Sequence, residues 1–446
     1  MTEASPTVPR TGKLRLGLFI QIAGHHIGGW RLPEAARPGE NLALGRQIAQ
    51  IAERGLLDML FLGDSLSTSA ASSPSLITRF EPLTFLSALA ATTRNIGLVA
   101  TASTTYGDPF NTARLFASLD HLSGGRAGWN IVTSSSGSAA LNFGLVERPG
   151  VHDRYERAEE FVEVVKGLWD SWEEGAFPRD KTTGTYVDPS RLHVLDHAGK
   201  HFSVRGPLNV DRSPQGHPVL VQAGSSEDGI TLGARAAEVI FTAQPTLPEA
   251  REFYDKIKRR TAELGRDPER LLVMPGVMPI IGRTREEAQE LFEKLQGNID
   301  LPLALAVLSG ELGHDVSGYP LDAPLPALPP TTGTVSRAEL LRDMAERENL
   351  TLRQLALRAA AARGHHILVG SPTEIADVLQ EWFEARGADG FNLMPPFFPG
   401  GLELFVDLVI PELQRRGLFR TAYEGTTLRA NLGLDVPANR YTAARG

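Results

Sequence analysis

The chain has 446 residues, with 45 Lys plus Arg against 53 Asp plus Glu, a formal charge of −8 at pH 7, and no cysteine. The missing thiols exclude disulfides, Cys-ligated zinc, cysteinyl iron–sulfur clusters and thiol nucleophiles. The acidic balance without a long basic cluster argues against nucleic-acid binding, and no apolar run reaches the roughly 18 residues of a membrane span.

In chain order, MTEASPTVPRTGK at the start lacks the apolar core of a signal peptide and reads as a short disordered lead, so a soluble, cytoplasmic protein is expected. Buried-strand patterns follow at 14–21, 58–64, 96–103, 126–134, 218–225, 238–245, 271–282 and 390–396. Each precedes a stretch of helical periodicity, at about 41–56, 82–93, 109–122, 153–172, 226–236, 247–264, 284–297 and 401–416. Eight continuously apolar strands alternating with helices predict an α/β fold, a closed parallel (β/α)8 TIM barrel. One domain spanning 1–446 is expected, with insertions at about 22–40, 173–217 and 298–370. Insertions of this length are usually lids or binding elements, so they are expected to cover the C-terminal face, where barrel active sites lie. A hairpin is expected around HFSVRGPLNV.

Polar residues gather at the predicted strand ends: Asp64, Thr101 to Thr105, Asn130, Thr133 to Ser136, and Ser225 with Ser226. A barrel brings them to one mouth; the competing reading is that such hydroxyls cap helices. In QAGSSEDG at 222–229 a strand ends at Gly224 and a helix opens behind two hydroxyls, an arrangement that favours a phosphate. The Walker spacing is absent and no GxGxxG follows a strand, so a small phosphorylated cofactor such as FMN fits better than ATP or a dinucleotide.

His193, His197 and His201 have the spacing of a helical metal face, but DHAGK reads as a turn, and no metal site is expected. Either member of the pair His25–His26 could lie over the mouth as a proton donor or substrate contact, or be structural. GDSL at 63–66 resembles a hydrolase nucleophile block; here it closes a second barrel strand, and Asp64 is the functional candidate with Ser65 as a cap. Trp30, Trp129, Tyr155 and Phe397–Phe398 would line a flat apolar surface for a ring system.

These segments together resemble the bacterial luciferase-like flavin monooxygenases, in the subgroup of nitrilotriacetate, EDTA and dibenzothiophene-sulfone monooxygenases. The resemblance is carried in register by GWNIVTS at 128–134, HDRYERAEEFVEVVKGLWDSW at 152–172, GKHFSVRGPLNV at 199–210, QAGSSEDGITLGARAAEVIF at 222–241 and VGSPTEIADVLQEWFEARGADGFNLMP at 369–395. It implies FMN delivered as FMNH2 by a separate NAD(P)H:flavin reductase, O2 as co-substrate, and a flavin peroxide that transfers one oxygen atom to a small organic substrate. That substrate would be aromatic, organosulfur or aminopolycarboxylate, and a homodimer or homotetramer is implied. By position, Asp64, Ser103, Asn130, Thr133, Ser134, His152, Tyr155, Ser225 and Ser226 would contact the flavin, with Tyr155, Ser225 and Ser226 at the phosphate.

Ser134, His25 and His26 are the catalytic candidates, and Phe19, Trp30, Phe61 and His314 would line the substrate. HDRY at 152–155 is one residue shorter than the family's HxxRY spacing, which bears on His152 more than on Tyr155. The alternatives are a deazaflavin-dependent oxidoreductase of the same fold, a metal-dependent barrel hydrolase built on Asp64 and histidines, and a non-catalytic or light-emitting flavin binder.

Overall fold

A computed structural model describes residues 10–37, 39, 41–70, 72–134, 136–329 and 335–443. Eight parallel strands close into the expected barrel. They are β1 (Arg15–Phe19), β2 (Met59–Leu62), β3 (Gly97–Ser103), β4 (Ala127–Val132), β5 (Val219–Gln222), β6 (Val239–Thr242), β7 (Leu272–Ile281) and β9 (Gly390–Leu393), with β8 (His366–Gly370) lying outside the ring. The ring runs β1-β2-β3-β4-β5-β6-β7-β9 and closes where Leu16 of β1 pairs with Phe391 of β9.

The strands read as continuous apolar runs because both of their faces are covered. One set of alternating residues, Met59, Phe61, Val99, Val219, Val221 and Val239, fills the interior. The other set, Leu16, Leu18, Leu60, Leu98, Ala100 and Trp129, packs outward against the helices. Burying each such large side chain stabilises by roughly 1.5–3 kcal/mol. Side-chain caps start the helices: Asn41, Asp108, Thr246 and Thr284 each accept a backbone N–H of the first turn.

The insertions differ in what they cover. The third carries three helices, Leu301–Leu312, Val335–Arg347 and Leu352–Ala362, and is not a simple loop. It feeds β8, a strand the sequence reading did not separate from the insertion. β8 pairs with Val277 to Ile281, the half of β7 that projects beyond Gly276, where β9 pairs. Ile27 of the first insertion packs into the core of these helices, so the first and third insertions meet at the mouth.

The second insertion does not take part in a lid. It follows the helix Val151–Trp169, whose end lies at the opposite end of the barrel. From there it runs along the outer flank: Gln215 donates to the Ala127 carbonyl at the start of β4, and Arg212 pairs with Asp170. Its hairpin is short, His197–Ala198 against Ser203–Val204. Among the described residues no helix is long and apolar enough to cross a membrane.

Candidate active site

The C-terminal ends of the strands form a cleft lined by Asp64, Ser103, Thr133, Ser134 and Tyr155, five of the residues singled out from the sequence. Thr101 also lines it, and Asn130 behind it is joined to Thr101 by an Asn130 Nδ2 to Thr101 Oγ1 bond of 2.8 Å. Thr101 in turn donates to the Leu62 carbonyl at 2.8 Å, which ties three strand ends together. The Asn130 Oδ1 is buried without a partner among the described residues, an uncommon state for a core amide. Ser134 donates to Ser103 at 2.7 Å. Burial pushes the Asp64 carboxyl upward, while the Ser65 N–H and the Arg79 charge pull the other way.

The loop after β5 forms one end of the cleft. Ser226 caps the helix Glu227–Ala236 by accepting from Gly229 N at 3.2 Å, so the capping reading holds for this hydroxyl. Tyr155 Oη lies 3.4 Å from Ser226 Oγ. The close approach of backbone here requires glycine. A Cβ on Gly224 would run into Gln222 Nε2 and come within 3.0 Å of Gly229 Cα and 3.2 Å of Tyr155 Oη. Ser225 turns away from Ser226, bonding Thr242 Oγ1 at 3.2 Å and lining a neighbouring recess under β6. What remains is a backbone cradle with a phenol hydroxyl over a helix N-terminus, suited to an anion.

A second cleft, of about 620 Å3, opens beside the first and shares Ser65 and Ser136 with it. His25, Gly310, Glu311 and Arg363 line it together with the hydroxyls of Ser69, Ser72, Ser73 and Ser75. His25 Nε2 is 2.9 Å from the Phe19 carbonyl, and Nδ1 is 3.3 Å from the Arg363 guanidinium. A carbonyl only accepts and a guanidinium only donates, so His25 is neutral with its proton on Nε2. Burial first, then the Arg363 charge, hold its pKa well below the usual histidine value. Both ring nitrogens are engaged, so in this arrangement His25 orients Arg363 and has no spare proton to donate. Below it, Phe19, Phe61, Phe241 and His365 form an aromatic floor, with Phe19–Phe61 centroids 5.0 Å apart and Phe241 stacked on His365 at 5.3 Å.

Other candidates lie apart. His26 is buried, with Nδ1 accepting from Gly28 N at 3.1 Å and Nε2 unpartnered among the described residues; burial lowers its pKa to about 4. Trp30 is 42% exposed on a 3-10 turn. His152 is exposed on the first turn of its helix. His314 sits 3.4 Å from Tyr319 Oη in the third insertion, next to Gly313 of the second cleft. His193, His197 and His201 do not converge; each faces its own glutamate, Glu173, Glu160 and Glu156.

Two arginines were missed in the sequence reading. Arg154 donates to the Thr133 and Ser134 carbonyls at 2.8 and 3.1 Å and so fixes the β4 loop. A signal existed: a cation in the first turn of a helix opposes the dipole and calls for another reason to be there. Arg363 ends the helix Leu352–Ala362 with φ +50°. The Arg-Gly pair there suggests only a glycine C-cap, and no local pattern points to the distant cleft.

The family model described as luciferase-like monooxygenase matches residues 18–390. The chain is 56% identical over 433 residues to N-acetyl-S-(2-succino)cysteine monooxygenase of Bacillus subtilis strain 168, covering 96% of this chain and 98% of that one. It is 47% identical over 444 residues to nitrilotriacetate monooxygenase component A of Aminobacter aminovorans, covering 96% and 98%. A solved structure of riboflavin lyase with modified FMN and riboflavin superposes with a TM-score of 0.86 at 34% identity, covering 96% and 97%.

Proposed function

The chain belongs to the luciferase-like family of flavin-dependent monooxygenases, and from that premise we propose that it is the oxygenase component of a two-component system. In this reading it takes reduced FMN from a separate NAD(P)H:flavin reductase and places one oxygen atom of O2 into a small substrate bearing several carboxylates, as both named relatives' substrates do. Reduced FMN, when bound, supplies the two electrons with which one oxygen atom goes to substrate and the other to water.

The residues at the first cleft fit that cofactor. Gly224 and Gly229 leave a cradle that a Cβ would fill, over which Tyr155 Oη stands ready to donate to phosphate. Ser103, Ser134 and Asp64 would bond the polar edge of the ring, and Ile131 and Leu66 would line its apolar part. The supporting observation is the sharing of Ser65 and Ser136 between the two clefts, which gives a cofactor in one direct access to a substrate in the other. Arg154 holds the β4 loop still, and the aromatic floor keeps water from the barrel side.

The test is reductase-coupled turnover with FMN under 18O2, using small thioether and tertiary-amine polycarboxylates. One labelled atom in the product, dependent on reduced FMN, supports the reading. Turnover on a reduced deazaflavin without oxygen uptake would overturn it, as would anaerobic, flavin-free turnover abolished by a chelator.

A further inference from the structure

We propose that Arg363 is the carboxylate receptor of the second cleft and the residue that selects anionic substrates, with His25 as its positioning residue; this rests on the functional reading above.

Arg363 lines the 620 Å3 cleft. Among the described residues no carboxylate oxygen lies within 4.0 Å of its guanidinium; the nearby Glu311 instead meets Arg337 at 4.0 Å. A half-buried guanidinium with no carboxylate in direct contact is costly, because its desolvation is not repaid by a charge-assisted hydrogen bond. Glu311 repays part of that cost from beyond ion-pair distance, while Arg337 and Arg79 act on Arg363 as like charges. Arg337 also donates to the Arg363 carbonyl, which fixes the backbone at its left-handed φ of +50°. A non-glycine residue held there is strained. Arg79 and Arg337 thus bear on Arg363 here against the single carboxylate of Glu311, in a chain of net charge −8.

A second feature of the same cleft points to the same ligand. The Ser73 side chain is 8% exposed, lines the cleft, and its hydroxyl has no hydrogen-bond partner among the described residues. A buried hydroxyl without a partner is rare unless a ligand or water supplies one. A guanidinium fork and a free hydroxyl donor lining one cleft match a carboxylate, which accepts through both oxygens. They do not match an alkane or an unsubstituted aromatic ring, which would leave both groups unpaired. His25 Nδ1 accepts from one guanidinium nitrogen and leaves the other free to turn into the cleft.

The experiment measures binding to the full chain, free of flavin, by titration calorimetry. The probes are nitrilotriacetate, citrate and succinate, each beside its methyl ester. For at least one acid, binding is expected to be about tenfold or more tighter than for its ester, as charge-assisted bonds are worth about twice neutral ones. Arg363→Gly, which suits the left-handed backbone, should abolish the preference. Arg363→Lys should retain part of it, and Ser73→Ala should weaken every acid without affecting the esters.

His25→Gln should reduce the acid preference in the wild-type direction while Arg363 stays present, a change a merely structural histidine would not make. FMN affinity, measured separately by fluorescence, should remain within about twofold in all four variants. No acid preference in the unaltered chain, or a preference unchanged in Arg363→Gly, overturns the proposal. Failure of the monooxygenase reading would instead appear as absent FMN binding with the acid preference intact.

Discussion

Ser134 donates a 2.7 Å hydrogen bond to Ser103, whose Oγ also lies 3.2 and 3.3 Å from the backbone N–H groups of Thr105 and Tyr106. Three donors share the two lone pairs of Ser103 Oγ, so its own hydrogen is free for another acceptor, and Ser103 lines the first cleft. Ser134 reaches this position with φ +44°. Ser134→Gly removes the steric cost of that conformation, about 1–2 kcal/mol, and adds glycine's unfolded-state entropy, about 0.5–1 kcal/mol. The two oppose, so stability should change by no more than about 1.5 kcal/mol. Product formed per O2 consumed should nevertheless fall, with kcat/KM down about tenfold to a hundredfold if the serine pair faces the reacting centre. An unchanged product yield would reject a role for Ser134.

The proposed phosphate cradle makes a separate prediction. Tyr155→Phe removes one donor to a charged group, worth about 1.5–3 kcal/mol. The dissociation constant for FMN should rise about tenfold to a hundredfold, while that for riboflavin, which lacks the phosphate, should stay the same. Equal losses for both ligands would place Tyr155 at the ring instead. Gly224→Ala should weaken FMN in the same selective way, because the new methyl group occupies the cradle next to Gln222 and Gly229.

The barrel was legible in the sequence because parallel strands covered on both faces leave unbroken apolar runs, and all eight ring strands were visible as such. The cradle was legible for a similar local reason, since Gly224, Ser226 and their helix are contiguous. β8 was not legible: HILVG follows a helix inside an insertion, and its partner is the projecting half of β7, a register no local pattern encodes. The second cleft escaped for the same reason. His25 and Arg363 are 338 positions apart, and only the packing of the third insertion on the first brings them together. Ser225 and Ser226 are neighbours in sequence yet face different recesses, as successive residues leaving a strand do.

Buried neutral histidines set the acid limit of stability. In the unfolded chain His26 titrates near 6.5, and burial in the folded protein lowers this to about 4. Between these values the unfolded chain binds the proton and the folded one does not. The stabilising contribution is therefore full above pH 6.5 and is lost as pH falls toward 4, a window worth roughly 3 kcal/mol. His25, His217 and His365 are shifted in the same direction, burial being the first cause in each. Asp120, raised by burial to about 6, opposes them below that pH. The melting temperature should fall from pH 7 to pH 5, and His26→Asn, which can still accept from Gly28 N, should flatten that slope. Parallel slopes for the two proteins would remove His26 from the account.

At the end of the barrel away from the mouth, Arg420 pairs with Asp58, and the two side chains are 2% and 0% exposed. Asp58 also accepts from Leu16 N at 2.7 Å, while Arg420 donates to the Asn431 carbonyl at 2.8 Å, tying β1 and β2 to the C-terminal segment. Burial raises the Asp58 carboxyl, and Arg420 first, then Arg15 and the Leu16 N–H, lower it, so Arg420 is the main group that keeps the charge tolerable. Arg420→Met should cost about 3–5 kcal/mol, because it leaves a buried carboxylate without its counter-charge. Asp58→Asn combined with Arg420→Met should recover much of that loss, since an amide still accepts from Leu16 N and carries no charge. Denaturant titration of the single and double variants reads the difference. At low temperature, where both remain folded, FMN affinity should match the unaltered chain, since neither residue lines the mouth. A double variant no more stable than Arg420→Met would show that Arg420 acts through its bond to Asn431 and not by neutralising Asp58.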